Sequence, residues 1–193
     1  MRRGGARRGA GGALTARTLI RRAVPEDAAG IARVHVGSWR ETYRGILPDA
    51  LLDGLSEEAR VRLWDGLLAR GEGDEFVAVS GDGILGFASG GPQRDAGLRG
   101  AGFEGEVLAI YLLRAAQGRG IGRALMGAVA DAVAARGMRG LALWVLEANA
   151  PARGFYERMG GVAVGEKVER RGEAALREVA YGWPDGRGAL TKG

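Results

Sequence analysis

One short stretch near the middle of the chain restricts the fold more than any other, because residues 117–122 read Gln-Gly-Arg-Gly-Ile-Gly. The three alternating glycines directly follow an apolar run typical of a strand, Glu106–Leu113, and they open an amphipathic pattern typical of a helix, Arg119–Arg136. Glycine has no Cβ, so backbone N–H groups here can approach an anion closely, and the first helical turn adds N–H groups without intrahelical partners. The stretch predicts a strand, a tight loop and a helix N-terminus that binds phosphate.

Two other interpretations of this loop remain open on the residues alone. Glycine is common in the chain, with 36 residues, so the loop can also be a purely structural turn. A dinucleotide-binding Rossmann motif is weaker, because Arg123 stands where a GxGxxG pattern that starts at Gly118 needs its last glycine. The loop also lies past the midpoint of the chain.

Apolar patterns and turn residues divide the chain into strands and helices that predict one mixed α/β sheet. The segment from Trp39 to Leu47 looks irregular, the glycine-rich stretch after Ser89 looks like a loop, and the last two strands are expected to close the sheet as a hairpin. The predicted strands are Thr18–Ala23, Phe76–Ser80, Ile84–Ser89, Glu106–Leu113, Leu141–Leu146, Val162–Glu169 and Ala175–Trp183. Four helices are predicted: one that begins near Pro25, one that begins near Ser56, and two that span Arg119–Arg136 and Ala150–Met159.

The length of 193 residues suits one folded domain. We expect this domain to span residues 17–184, between a disordered Gly/Arg-rich tail at 1–16 and a loose end at 185–193. The net charge of +5 does not indicate a specific nucleic-acid partner, because five arginines and no acid fall within residues 1–17 and the remainder carries equal numbers of basic and acidic residues.

Missing residue types exclude several kinds of site. The chain has no cysteine and one histidine, His35, which excludes disulfides, a cysteine nucleophile and a His-rich metal site, so we expect no metal. It has no apolar run of about 18 residues or more, and its start lacks the apolar core of a signal peptide. We therefore expect no membrane partner and a cytoplasmic location.

The loop, the strand before it and a later helix together resemble the GNAT family of acetyltransferases. The resemblance covers roughly residues 19–183 and implies an α/β (α+β) fold with a mixed, mostly antiparallel central sheet of about seven strands and helices on both faces. The matching residues are Gln117, Gly120 and Gly122 in the pyrophosphate signature Gln/Arg-x-x-Gly-x-Gly/Ala, the strand 106–112, and Asn149, Ala152, Phe155, Tyr156 and Gly160 in the later helix.

This resemblance implies an N-acetyltransferase with acetyl-CoA as its co-substrate. A primary amine, on a small molecule, a peptide N-terminus or a lysine, would attack the thioester directly. Backbone groups of Leu112 and Leu113 would hold the pantetheine arm, and Asn149 would touch the cofactor from the facing helix. The residues implied to hold the pyrophosphate are Gln117, Gly118, Arg119, Gly120, Ile121, Gly122 and Arg123. A non-catalytic acyl-CoA-binding module that keeps the loop is the alternative.

Two residues would carry the proton transfers within this scheme. Tyr156 would protonate the leaving thiolate of coenzyme A, and Glu106, where the strand splays from its neighbour, would take the amine's proton through water. Tyr156 can instead be a core residue, and Glu106 a solvated acid at a strand end with Glu104 as its near rival. Arg114 departs from the family pattern, since many relatives carry proline there.

The acceptor site should lie between the first two helices and the closing strands. Trp39 and Tyr43 are four residues apart, so they can wall this pocket from one helix face or belong to the core. His35 is expected to be partly buried with its hydrogen bonds satisfied. The tryptophans assigned to packing are Trp64, Trp144 and Trp183. A homodimer is one option for the assembly of the chain.

Overall fold

The computed structural model describes residues 17–81, 83–171 and 174–186, which form a seven-stranded sheet with helices on both faces. The strands are β1 (Leu19–Arg22), β2 (Asp74–Ser80), β3 (Gly83–Pro92), β4 (Gly105–Leu112), β5 (Leu141–Leu146), β6 (Val162–Arg171) and β7 (Ala174–Trp183). The helices are α1 (Ala28–Tyr43), α2 (Asp49–Asp53), α3 (Glu57–Arg70), α4 (Ala96–Gly100), α5 (Ile121–Ala135) and α6 (Ala150–Arg158). The predicted fold class is confirmed.

The strands follow the spatial order β1-β2-β3-β4-β5-β7-β6. All neighbouring pairs are antiparallel except β4 and β5, which are parallel. The last two strands form the expected hairpin, and its second strand lies inside the sheet while β6 lies at the edge. The connection through α5 is the crossover that a parallel neighbour requires.

A β-bulge in β4 divides this strand into two parts. Ser89 pairs with Ala109 and Gly90 pairs with Val107, so Leu108 has no counterpart on β3. Between β4 and β5, pairing is limited to two positions, the second of which joins Glu106 and Ala142. Beyond Glu106 the two parallel strands diverge, and the edge of β4 faces an open gap.

Two apolar clusters hold the helices against opposite faces of the sheet. One contains Trp64 of α3 and Phe87 of β3 and lies under α1 and α3, and the other contains Val107 of β4 and lies under α5. The α5 residues Leu125 and Val129 are four positions apart and fully buried, as the 3.6-residue period requires. Burial of each such side chain contributes about 1.5 to 3 kcal/mol.

Three local predictions were wrong. Trp39–Tyr43 is not irregular, because α1 continues to Tyr43, and its aromatic side chains pack against the sheet. The stretch after Ser89 is not only a loop, since β3 continues to Pro92 and α4 follows, capped where the Asp95 carboxylate accepts a hydrogen bond from the Leu98 N–H at 3.0 Å. The helix predicted from Arg119 begins at Ile121.

The chain ends fall largely outside the described residues. This holds for the whole predicted tail at 1–16 and for residues 187–193 of the predicted loose end, whereas 184–186 form a turn after β7. Within the described part of the chain, no helix has the length and apolar character needed to cross a membrane.

Candidate active site

A cavity of about 1540 Å³ occupies the gap between β4 and β5. Its walls come from α1, β4, β5, the loop before α5, α6 and the β6–β7 hairpin. It gathers most of the residues that the sequence singled out, although Leu113, Arg119 and Ile121 do not line it. The predicted residues in its walls are Trp39, Tyr43, Glu106, Leu112, Gln117, Gly118, Gly120, Gly122, Arg123, Asn149 and Tyr156.

Two glycines shape the predicted phosphate loop at one end of this cavity. Gly118 and Gly120 have φ angles of 70° and 76°, in the left-handed region that side chains disfavour. A Cβ at either position would meet no atom within 4 Å, so the backbone conformation, and not a lack of space, favours glycine. Gly120 is the N-cap of α5, so the N–H groups of the first helical turn follow it directly and can bind an anion.

Two predicted members of the loop, Arg119 and Ile121, do not line the cavity. The side chain of Ile121 is only 4% exposed and belongs to the core under α5. Arg119 is exposed outside the cavity walls. For both residues, only the backbone N–H remains a candidate contact with a phosphate.

The backbone of Leu113 is not available as predicted. Its N–H donates to the carbonyl of Leu85 at 3.0 Å, and its carbonyl accepts from the N–H of Ala116 at 2.8 Å. Because alternate residues of a strand direct their backbone groups to opposite sides, Leu112 and Ile110 face the gap instead. Leu112 therefore remains a candidate for holding an extended ligand, and Ile110 is a candidate that the sequence analysis missed.

Tyr156 belongs to the core and also lines the cavity. It lies on α6, which Asn149 caps by accepting a hydrogen bond from the Ala152 N–H at 3.3 Å. Tyr156 is 7% exposed, and its ring packs near the ring of Trp183. Burial raises the pKa of its phenol above the usual range, and Tyr111 adds to this shift. The phenol therefore keeps its proton at neutral pH, as a general acid must.

Glu106 lies at the last paired position before β4 and β5 diverge, and its side chain is buried. Arg94 donates three hydrogen bonds to the carboxylate, from its backbone N–H and its Nε to Oε2 (both 3.0 Å) and from Nη2 to Oε1 (2.8 Å). A carboxylate has about four acceptor positions, so about one remains for a water. Glu104 does not line the cavity, and its carboxylate accepts from the Arg139 N–H at 2.7 Å.

Aromatic side chains form the wall of the cavity on the α1 side. The rings of Trp39 and Tyr43 lie 5.2 Å apart, and the hydroxyl of Tyr43 lies 3.4 Å from that of Tyr111. Burial raises the pKa of the Tyr43 phenol, and Tyr111 adds to the shift. The indole N–H of Trp39 is buried without a hydrogen-bond partner among the described residues. Both residues thus line the predicted pocket, and they pack together as core residues do.

The remaining aromatic predictions concern His35 and the three tryptophans assigned to packing. His35 is 8% exposed and accepts a hydrogen bond from the indole N–H of Trp64 at 3.2 Å, as expected of a satisfied buried histidine. Burial lowers the pKa of His35 to about 4, with a smaller effect from Arg60. Trp64 and Trp183 are buried packing residues, and Trp144 packs against a further apolar cluster while it also lines the cavity.

Arg114 connects the end of β4 to α1. Its N–H donates to the carboxylate of Glu41 at 2.8 Å, and its Nη2 donates to the Glu41 carbonyl at 2.7 Å. A proline at this position has no N–H to donate. Arginine in place of the family's proline therefore adds a hydrogen bond between two walls of the cavity.

Several cavity residues gave no signal in the sequence. Arg94 follows β3, Tyr111 lies on β4, and Lys167 and Glu178 face each other on β6 and β7. Each is an isolated polar or aromatic residue in its own segment, and only the alternation along a strand hinted at a shared face. Their common position depends on strand order and on the bulge at Leu108.

The fold and the site together define a class of protein. A helix N-terminus suited to phosphate lies at one end of the gap between two parallel strands, and a protonated phenol lies in the wall of that gap. This arrangement is typical of a transferase that holds an acyl-CoA between the two strands. The chain belongs to the acetyltransferase (GNAT) family, whose family model matches residues 36–161. It is therefore an N-acetyltransferase.

Known relatives and solved structures agree with this family. YuaI, an uncharacterised N-acetyltransferase of Bacillus subtilis, is 38% identical over 86% of this chain and 92% of its own length. The PaiA N-acetyltransferase of Thermoplasma acidophilum, solved in complex with coenzyme A, has a TM-score of 0.62 and 20% identity, over 84% of this chain and 98% of that chain. The yncA structure from Salmonella typhimurium, solved with its cofactor acetyl-CoA, has a TM-score of 0.65 and 19% identity, over 87% and 94% of the two chains. At these identities the two structures show a shared fold.

Proposed function

We propose that the protein transfers the acetyl group of acetyl-CoA to a primary amine by direct attack of the amine nitrogen on the thioester carbon. The observation that carries this proposal is that the glycine loop, Tyr156 and the aromatic residues of α1 all line one cavity. A coenzyme bound along β4 would place its thioester between a proton donor and an open pocket. The coenzyme A and acetyl-CoA bound to the two structural neighbours support the choice of cofactor.

The gap offers contacts along the whole length of the proposed cofactor. N–H groups of the glycine loop and the first turn of α5 would hold the pyrophosphate, together with Arg123. Backbone groups of Leu112 and Ile110 would pair with the amides of the pantetheine arm. Asn149, which caps α6 beside the cavity, would contact the cofactor from the opposite wall.

The proposed transfer moves two protons. Glu106 would accept a proton from the amine through the water that its remaining acceptor position can hold, and the amine nitrogen would then attack the carbonyl carbon. The new C–N bond forms as the C–S bond breaks, and Tyr156 would protonate the thiolate of coenzyme A. The second proton that the nitrogen loses on becoming an amide would restore the Tyr156 phenol. The buried phenol supports this role because it is protonated at neutral pH.

The acceptor would enter beside Trp39 and Tyr43. Their rings and the carboxylates of the cavity suit an amine attached to an apolar or aromatic group. A screen of small amines, peptides and lysine-containing peptides with acetyl-CoA, following thiol release, tests the transfer directly. Binding of acetyl-CoA without release for any acceptor would favour the non-catalytic binding module instead.

We also propose a domain boundary, a cellular location and an assembly for this protein. We propose that residues 17–184 fold as one domain, so a protein without residues 1–16 should keep its Tm and its affinity for acetyl-CoA. A cytoplasmic location can be tested by cell fractionation. A homodimer can be tested by analytical ultracentrifugation at several protein concentrations.

A further inference from the structure

One lysine of the protein reaches the proposed acetyl-transfer cavity. The chain has 28 basic residues, of which only Lys167 and Lys192 are lysines. Lys192 lies outside the described residues, whereas Lys167 lies on β6 and lines the cavity. The distinction from arginine matters chemically, because a lysine amine can lose its proton and become a nucleophile, whereas an arginine guanidinium stays protonated.

The side chain of Lys167 extends across β7 toward the gap. Its Nζ lies 3.2 Å from a carboxylate oxygen of Glu178, the residue directly opposite on β7. The same Nζ lies 4.1 Å from the ring centroid of Trp144, which belongs to β5, the next strand along the sheet. The ammonium is thus held at the cavity wall by a carboxylate on one side and an indole on the other.

The Lys167–Glu178 pair lines the same cavity as the phenol proposed as the general acid. Glu178 is mostly buried and lines the cavity together with Tyr43 and Tyr156. Burial raises the pKa of Tyr43, and Tyr111 and, to a smaller extent, Tyr156 and Glu178 add to this shift, since these groups line one cavity. A carboxylate next to an amine can take the proton that the amine must lose before it attacks.

We propose that Lys167 is an internal acetyl acceptor, so that the protein acetylates itself at this residue. The proposal rests on the proposed function, since it uses the same acetyl-CoA and the same cavity. Glu178 takes a proton from the ammonium, and the free Nζ attacks the thioester carbon. The C–N bond of the amide forms, the C–S bond breaks, and Tyr156 protonates the thiolate of coenzyme A. The second proton that the nitrogen loses as it becomes an amide returns to the Tyr156 oxygen. The product is a neutral amide that no longer forms an ion pair with Glu178.

The test is intact and peptide mass spectrometry of the full chain incubated with acetyl-CoA and no added amine. The mass is recorded before incubation, since an acetyl group already present at Lys167 counts toward the same total. We expect one acetyl group per chain, located at Lys167, and a rate constant independent of protein concentration. Lys167→Arg should remove the modification, and Glu178→Gln should slow it by about tenfold or more.

Lys192 and heat-denatured protein provide the controls for uncatalysed acetylation by acetyl-CoA. Equal modification of Lys192, an equal rate in denatured protein, or a rate constant proportional to protein concentration would overturn the inference. Thiol release with an added amine but no acetyl group on Lys167 would overturn it while leaving the proposed function intact. Failure to bind acetyl-CoA would instead contradict the proposed function itself, and this inference with it.

Discussion

Gly122 and Phe155 are packed against each other so closely that a Cβ on Gly122 would lie 3.2 Å from the Cζ of the Phe155 ring. Gly122 lies in the first turn of α5, next to the proposed phosphate loop. Phe155 directly precedes Tyr156 on α6. The contact therefore fixes the distance between the loop proposed to hold the cofactor and the helix that carries the proposed acid.

Gly122→Val is expected to lower both the affinity for acetyl-CoA and kcat, because the branched side chain must displace Phe155. Overpacking of this kind typically costs about 1 to 3 kcal/mol of stability. Calorimetric titration and steady-state kinetics measure the two effects. Gly127→Val on the same helix is the matched control, since a Cβ at Gly127 meets nothing within 4 Å. Equal behaviour of the two variants would contradict the coupling of loop and helix.

Gly120→Ala tests the backbone conformation of the loop separately from its packing. An alanine must adopt φ near 76° there, at a cost of about 1 to 2 kcal/mol, or rearrange the loop. We expect a lower free energy of unfolding in urea and weaker binding of acetyl-CoA. Gly127→Ala, in the interior of α5, should instead raise stability by up to about 1 kcal/mol. The strain argument fails if both variants shift stability in the same direction.

Tyr156→Phe removes only the hydroxyl that is proposed to protonate the thiolate. We expect kcat to fall about 100-fold while the Kd for acetyl-CoA changes little. Tyr181→Phe is the matched control, because Tyr181 is buried in the same cluster but does not line the cavity. That variant should lose stability and keep kcat. Unchanged single-turnover rates in Tyr156→Phe would leave Tyr156 with a packing role alone.

Glu106→Gln keeps the size of the side chain and an acceptor for Arg94 while removing the base. An alkyl amine with a pKa near 10.4 is mostly protonated at neutral pH, so kcat/KM should fall by about 10² to 10⁴ there. The loss should shrink as pH rises, because free amine becomes available without a base. Acetyl-CoA affinity should stay near normal. If the variant keeps the original pH–rate profile, Glu178 becomes the next carboxylate to test, since Glu104 lies outside the cavity walls.

His35 should make the stability of the protein depend on pH. Its pKa is lowered from 6.5 to about 4 in the folded state, so protonation favours the unfolded chain. The neutral His35 therefore contributes to the free energy of unfolding in full above pH 6.5, and this contribution is lost as pH falls from 6.5 toward 4. Its upper limit is about 3 kcal/mol. Urea unfolding at several pH values measures it. His35→Gln should flatten the slope in this window, and an unchanged slope would contradict the shift.

The local parts of the proposed cofactor site were readable from the residues. The sequence at 117–122 predicted a glycine loop and a helix N-terminus, and Gly118 and Gly120 do adopt the left-handed backbone that favours glycine. The order of apolar patterns predicted the mixed sheet. These features depend on neighbours a few positions apart along the chain, which is the range over which periodicity and backbone preferences act.

Only the tertiary structure decided which distant groups meet in the cavity. The bulge at Leu108 changes which side chains of β4 lie on each face of the sheet. Because β4 and β5 diverge, the backbone groups of Ile110 and Leu112 face the gap, whereas Leu113 is hydrogen-bonded to β3. The insertion of β7 beside β5 lets Lys167 extend over Trp144. The sequence by itself determined the glycine loop, the seven strands and the four longer helices, whereas the short helices α2 and α4 were not predicted. The register and order of the strands depend on burying two apolar clusters on opposite faces of one sheet. Because these clusters join residues from distant parts of the chain, the whole chain and not any local segment decides them.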